Sequence, residues 1–198
     1  MREANLMMKS LAGVLGLVAA IACASYPPVV DREALVSSGA TAADDSTVYA
    51  SFLETLNRDP RNDTLHVQEL SKIFVRLPAH YDSTAPGLNA ELANLSKIQV
   101  PSTSLHLPSP VRIIPGSVAI ALANADVLGA LGQVEGKPQG ISGLWAFTPV
   151  AYSADKRDAM FSYTELCGRK CGEDVVVWLR KNAADKWEVR RTAIITIE

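Results

Sequence analysis

The sequence predicts an α+β fold in which a C-terminal four-stranded antiparallel meander is packed by two or three N-terminal helices. Three observations lead there. The last third, from Gly143 to Glu198, alternates runs rich in β-branched and aromatic residues with short polar turns. The stretch from Asp44 to Leu95 carries apolar residues at helical spacing instead. An export-signal pattern occupies the start and leaves a remainder the size of one domain.

Residues 1–24 read as a signal peptide. Arg2 and Lys9 supply positive charge, and Leu11 to Ala22 is an unbroken apolar run of twelve. A membrane-spanning helix needs about 20 apolar residues, so this run has the length of a signal core. The layout fits best if translation starts at Met7 or Met8. Two processing routes compete. Ala22-Cys23-Ala24 is a small-x-small cleavage site that leaves Ser25 as the new N-terminus. Ala20-Ile21-Ala22-Cys23 is similar to a bacterial lipobox, with lipidation at Cys23, although leucine is usual where Ala20 stands. Either route removes an unpaired thiol; the lipidated form is favoured. Residues 25–43 read as a flexible tether, with Pro27 and Pro28 followed by small and polar residues.

The single α+β domain is expected over 44–198. Asp44, Asp45 and Ser46 offer N-cap oxygens, and Val48, Tyr49, Phe52, Leu53 and Leu56 form one apolar helical face. Asn57 to Asp63 ends that helix. Thr64 to Gln68 reads as a short strand, while Glu69 to Val75 fits helix or strand equally. Leu88, Leu92 and Leu95 mark a second helix, stopped by Pro101. Prolines 101, 108, 110 and 115 then exclude a helix or central strand, leaving Val111 to Ile114 as an edge candidate. Val118 to Leu131 is apolar without clear period. The meander follows as Leu144–Tyr152, Ala159–Leu166, Asp174–Lys181 and Trp187–Ile197. By parity Trp187, Val189, Ala193, Ile195 and Ile197 share one face of the last strand, interrupted only by Arg191.

Cys167-Gly168-Arg169-Lys170-Cys171-Gly172 sits at the turn between the second and third strands. A tight hairpin brings its ends within reach of a disulfide, and Cys167–Cys171 pairing would add roughly 2 kcal/mol by closing a short loop. Other readings stand beside this staple. Arg169 and Lys170 would lower a neighbouring thiol pKa, as in a redox pair, or would form a basic tip for a partner. A copper or zinc site would need a histidine, and His66, His80 and His106 lie far upstream in no ligand spacing.

No catalytic, cofactor-binding or metal-binding residue is assigned. Ser142 lies outside any nucleophile-elbow pattern, and Gly129 to Gly136 lacks the lysine of a phosphate loop. Asp155 and Asp158 flank a turn, and Trp145, Trp178 and Trp187 read as sheet aromatics. The chain carries a formal net charge of −2; without residues 1–24, which hold two of its 19 basic and one of its 21 acidic residues, the remainder carries −3. That balance argues against a nucleic-acid partner.

The C-terminal stretch resembles a broad family of uncharacterised bacterial secreted proteins and lipoproteins. The matching residues are Thr148 to Asp155, Ala159-Met160-Phe161, the C-G-x-x-C-G turn at Cys167 to Gly172, and Lys181 through Trp187-Glu188-Val189. Pro149 departs from the polar residue usual there, and the family's tryptophan near the C-terminus is missing from Ala193-Ile194-Ile195. The resemblance implies export and paired cysteines and transfers no catalytic residues. The expectation is an exported cell-envelope protein, non-enzymatic, acting as a binding or structural module on an unknown envelope protein or ligand. It touches the membrane only through an N-terminal lipid anchor and resides at the outer membrane or in the periplasm. The alternative is a periplasmic thiol-redox or metal-binding protein using Cys167 and Cys171.

Overall fold

The computed structural model of the chain describes residues 28–35, 41–56, 64–72, 87–119, 143–168 and 171–197. Seven strands join one mixed sheet: β1 (Leu65–Gln68), β2 (Val111–Ile114), β3 (Leu144–Phe147), β4 (Ala151–Tyr152), β5 (Asp158–Gly168), β6 (Cys171–Lys181) and β7 (Trp187–Ile197). The order is β2-β1-β3-β5-β6-β7, with β4 also paired to β5. β1 runs parallel to both β2 and β3, whereas the β3–β5, β5–β6 and β6–β7 pairings are antiparallel.

This corrects the expected fold. The antiparallel ribbon is only part of a larger sheet, extended by two parallel strands from the middle of the chain. Those strands have four residues each, too few to display a period of two, and their pairing partners lie about 45 and 80 residues away in sequence. The first strand of the meander is also split. Thr148 to Val150, which include Pro149, separate β3 from β4, although the Thr148 amide still donates to the Ser162 carbonyl at 2.9 Å.

Among the described residues, two α-helices of eight residues or more cover opposite faces of the sheet. Helix α1 (Ala42–Thr55) places Val48, Tyr49, Phe52 and Leu53 against Trp145, Phe147, Phe161, Tyr163, Val175, Val177 and Leu179. Helix α2 (Leu88–Leu95) places Leu88, Leu92 and Leu95 against Ala151, Met160 and Val176. Alternation along β5 and β6 sends odd residues to α1 and even residues to α2, and both helices bury their apolar stripe. Rings lock the α1 side: Tyr49 meets Phe147 and Phe161 edge-on at centroid distances of 5.5 and 5.1 Å, and Trp145 stacks on Phe147 at 5.6 Å.

Parity fails in β7 because of two bulges. Trp178 pairs with Arg191 and Leu179 with Val189, so Arg190 is an extra residue. Trp187 and Val189 therefore pack on the α1 side, while Ala193 and Ile195 pack on the α2 side. A second slip, with Asp174 paired to Thr196 and Val175 to Ile194, leaves Ile194 exposed.

Helix α1 begins earlier than expected. Thr41 is its N-cap and forms a capping box with Asp44, which frees Asp45 to turn inward. The segment expected to be a tether is partly docked. Val29 bridges to Gln99, residues Arg32–Leu35 form a 3-10 turn, and Arg32 is buried. The rest of the expected tether, residues 25–27 and 36–40, lies outside the described residues.

Candidate functional site

Three polar clusters are built into the sheet, and each follows from strand parity or from the docked N-terminal segment. The first lies on the α2 side. Ser162 and Thr164 of β5 and Asp174 of β6 share that face because Thr164 pairs with Asp174 and Ser162 with Val176. Lys72 reaches them from a segment that follows β1, its amide donating to the Phe147 carbonyl at 2.9 Å. Its Nζ lies 2.6 Å from Asp174 Oδ1 and 3.2 Å from Ser162 Oγ. The Thr164 hydroxyl donates to the same Asp174 oxygen. Around this seam, the apolar group of Leu88, Leu92, Met160 and Val176 is distinct from a second group of Ile114, Ala119 and Leu144.

A lysine beside a serine is the arrangement of some acyl-transfer nucleophiles, so its chemistry decides what this cluster can do. Burial lowers the Lys72 pKa first, and the ion pair with Asp174 pulls it back. Yet Ser162 is fully buried, and its hydroxyl proton is committed to the Val175 carbonyl at 2.8 Å. No substrate carbonyl can approach such an oxygen. The cluster is a polar strut that ties the segment after β1 across β5 to β6; Lys72 and Ser162 are buried, while the Asp174 side chain is 34% exposed.

The second cluster lies on the α1 side and is closed. Arg32 Nε and Nη2 donate to the two Asp45 oxygens at 2.6 and 3.0 Å, and Nη2 also reaches the Val150 carbonyl at 3.4 Å. The Tyr152 hydroxyl donates to Asp45 at 2.9 Å, and the Tyr49 hydroxyl to the Thr148 carbonyl at 2.7 Å. Burial pushes the Asp45 carboxyl up, opposed by Arg32 and then by Tyr152. Burial also raises both tyrosines, so their hydroxyls stay protonated donors. The third cluster is at the surface: Asp158 accepts from Arg180 at 2.7 and 3.0 Å and from the Trp178 indole at 2.9 Å, with the Arg180 guanidinium 5.3 Å from the Trp178 ring centre.

The residues singled out from sequence are scattered. His66 lies in β1 and is buried; His106 is exposed, in a left-handed conformation, its Nδ1 beside the Ser104 carbonyl at 2.9 Å. Trp145 is buried, whereas Trp178 and Trp187 are half-buried, the latter with Lys181 5.2 Å above its ring. Asp155 caps a turn, its carboxylate held below the usual range by the Ser153 hydroxyl and the Arg157 amide. His80, Ser142, Gly129 to Gly136 and Cys23 lie outside the described residues. Among the described residues no group of three His, Cys, Asp or Glu is placed to hold a metal ion.

The backbone register of the cysteine hairpin is described, but the side chains are not. Leu166 pairs with Gly172 and Gly168 with Cys171, leaving Cys167 as the bulged residue between them. Cys171 therefore sits on the last rung of the β5–β6 ribbon, and Cys167 is the bulged residue next to its partner Gly168.

Sequence reasoning missed Arg32, Lys72, Ser162 and Asp174. A signal existed for two of them: Ser162 and Asp174 sit in strongly apolar strands, at positions where a buried polar residue needs a partner. Nothing local identifies Lys72 or Arg32, whose partners lie 102 and 13 residues away. No protein-family model matches the chain, and neither a curated protein nor a solved structure matches it significantly.

Proposed function

We propose that the chain is an exported, non-enzymatic cell-envelope protein, anchored by lipid at Cys23 and acting as a binding or structural module. The observation that carries this reading is the apolar run ending in Ala20-Ile21-Ala22-Cys23, preceded by Arg2 and Lys9. The clusters support the non-enzymatic part, because the buried lysine, serine, arginine and aspartate are committed to one another and not aimed at a substrate.

The test is fractionation of cells expressing the protein and its Cys23→Ser variant. The parent is expected in the envelope fraction, released by detergent, and the variant in the soluble exported fraction. Retention of both in the cytoplasm with the leader uncleaved would overturn the proposal. One observation favours a second reading: Cys167 is the bulged residue beside the Gly168–Cys171 pair, and Arg169 and Lys170 lie between the two cysteines in sequence. A thiol–disulfide potential near those of known oxidoreductases, about −120 to −270 mV, would favour a redox protein, whereas a structural staple falls below about −300 mV.

A further inference from the structure

We infer that the anchored domain is held against the bilayer, with the Val29–Gln99 bridge and the C-terminal end of α2 as its membrane-facing surface. This rests on the lipid anchor proposed above. The Gln99 amide donates to the Pro28 carbonyl at 3.0 Å and the Val30 amide to the Gln99 carbonyl at 2.9 Å, so the chain is fixed to the domain from Pro28 onward. Two residues further on, the buried Arg32–Asp45 pair locks that attachment. Five residue steps separate Cys23 from Pro28, and a fully extended chain covers about 17 Å over that length. A tether running to Asp44 would instead reach about 70 Å.

The domain itself is about 40 Å across for its length. A link shorter than that diameter restricts which part of the surface can meet the lipid: the far pole is out of reach, and the patch around Pro28 is not. The chemistry of this patch suits an interface. Val29 is 54% exposed, and Lys97, two residues before Gln99 at the end of α2, is exposed and cationic. Exposed Asp31 carries an opposing charge nearby in sequence, and Glu33 follows it two residues later. A lysine near the surface of anionic lipid is attracted to it.

The experiment uses the protein extracted from the envelope and reconstituted into phosphatidylethanolamine/phosphatidylglycerol vesicles. A benzophenone side chain is placed by Lys97→benzoylphenylalanine or, separately, Val29→benzoylphenylalanine, and photo-crosslinking to phospholipid is measured. Both positions are expected to crosslink in the parent link. Inserting about twenty Gly/Ser residues after Ser25 should lower the yield about tenfold, following the −3/2 power of link length. Equal yields with and without the insertion, or no lipid adduct at either position, would overturn the inference. Intact mass separates the two levels. Lipid on Cys23 with no adduct sinks the docking geometry alone, whereas no lipid on Cys23 sinks the anchor and the geometry together.

Discussion

Replacing Arg32 with methionine should lower stability by about 3–5 kcal/mol at neutral pH, because it leaves the Asp45 carboxylate buried without its counter-charge. Asp45 has no exposed surface, and its remaining side-chain donor would be the Tyr152 hydroxyl. Its carboxyl is already raised by burial with Arg32 present. Removing Arg32 withdraws the strongest opposing influence, so the folded-state pKa climbs further above the unfolded value of about 3.9. The sign follows from proton uptake. A carboxyl raised in the native state contributes its full stability below the unfolded pKa and loses it as pH rises through the folded pKa. The slope is at most about 1.4 kcal/mol per pH unit, so the deficit of Arg32→Met relative to the parent should widen by up to about 2.7 kcal/mol between pH 5 and pH 7. Urea titrations followed by tryptophan fluorescence at those two pH values measure it. A difference that is the same at both, or below about 1 kcal/mol at pH 7, would refute the reasoning. The double variant Arg32→Met/Asp45→Leu should regain most of the loss, since a buried pair is replaceable by apolar side chains.

Lys72→Met should shift stability by less than about 2 kcal/mol at neutral pH, because Asp174 is one-third exposed and can be hydrated. With Lys72 lowered by burial, its native state binds fewer protons than the unfolded state just below pH 10.5. The parent should therefore gain stability relative to Lys72→Met as pH rises toward that value, which denaturation at pH 8 and pH 10 checks. Ile194→Lys should be near neutral at 55% exposure, while Ile195→Lys, on the α2 side, should cost about 2 kcal/mol or more. Equal losses would contradict the bulges in β7. Asp158→Ala should destabilise more than Arg180→Ala, because it also strips the acceptor from the Trp178 indole, while the Arg180 guanidinium is half exposed; thermal melts compare the two.

How much the sequence disclosed depended on whether the signal was local. The long strands β5 and β6 and the helix around Val48 to Leu53 announce themselves by β-branched content or by spacing over many residues. The short strand at Thr64–Gln68 and the edge strand at Val111–Ile114 are legible too, as β1 and β2, but their parallel pairing is not, because parallel partners are set by distant crossovers. Which face each helix covers is not legible locally: Met160 and Val176 are as buried as their odd-numbered neighbours, so the sheet is apolar on both sides. The bulge at Arg190 explains why Arg191 seemed to spoil an apolar face: the face changes there, and Arg191 lies opposite Trp178. The polar clusters were legible only as unpaired halves. Ser162 and Asp174 stand out inside apolar strands, but Lys72 is an ordinary lysine until the fold carries it across the sheet.

Whether the chain is exported and processed is checked by the intact mass of the protein isolated from cells under alkylating, non-reducing conditions. The expected species begins at Cys23 with added lipid mass and carries no alkyl group on Cys167 or Cys171. A chain that retains residues 1–24 and is alkylated at both cysteines would contradict it.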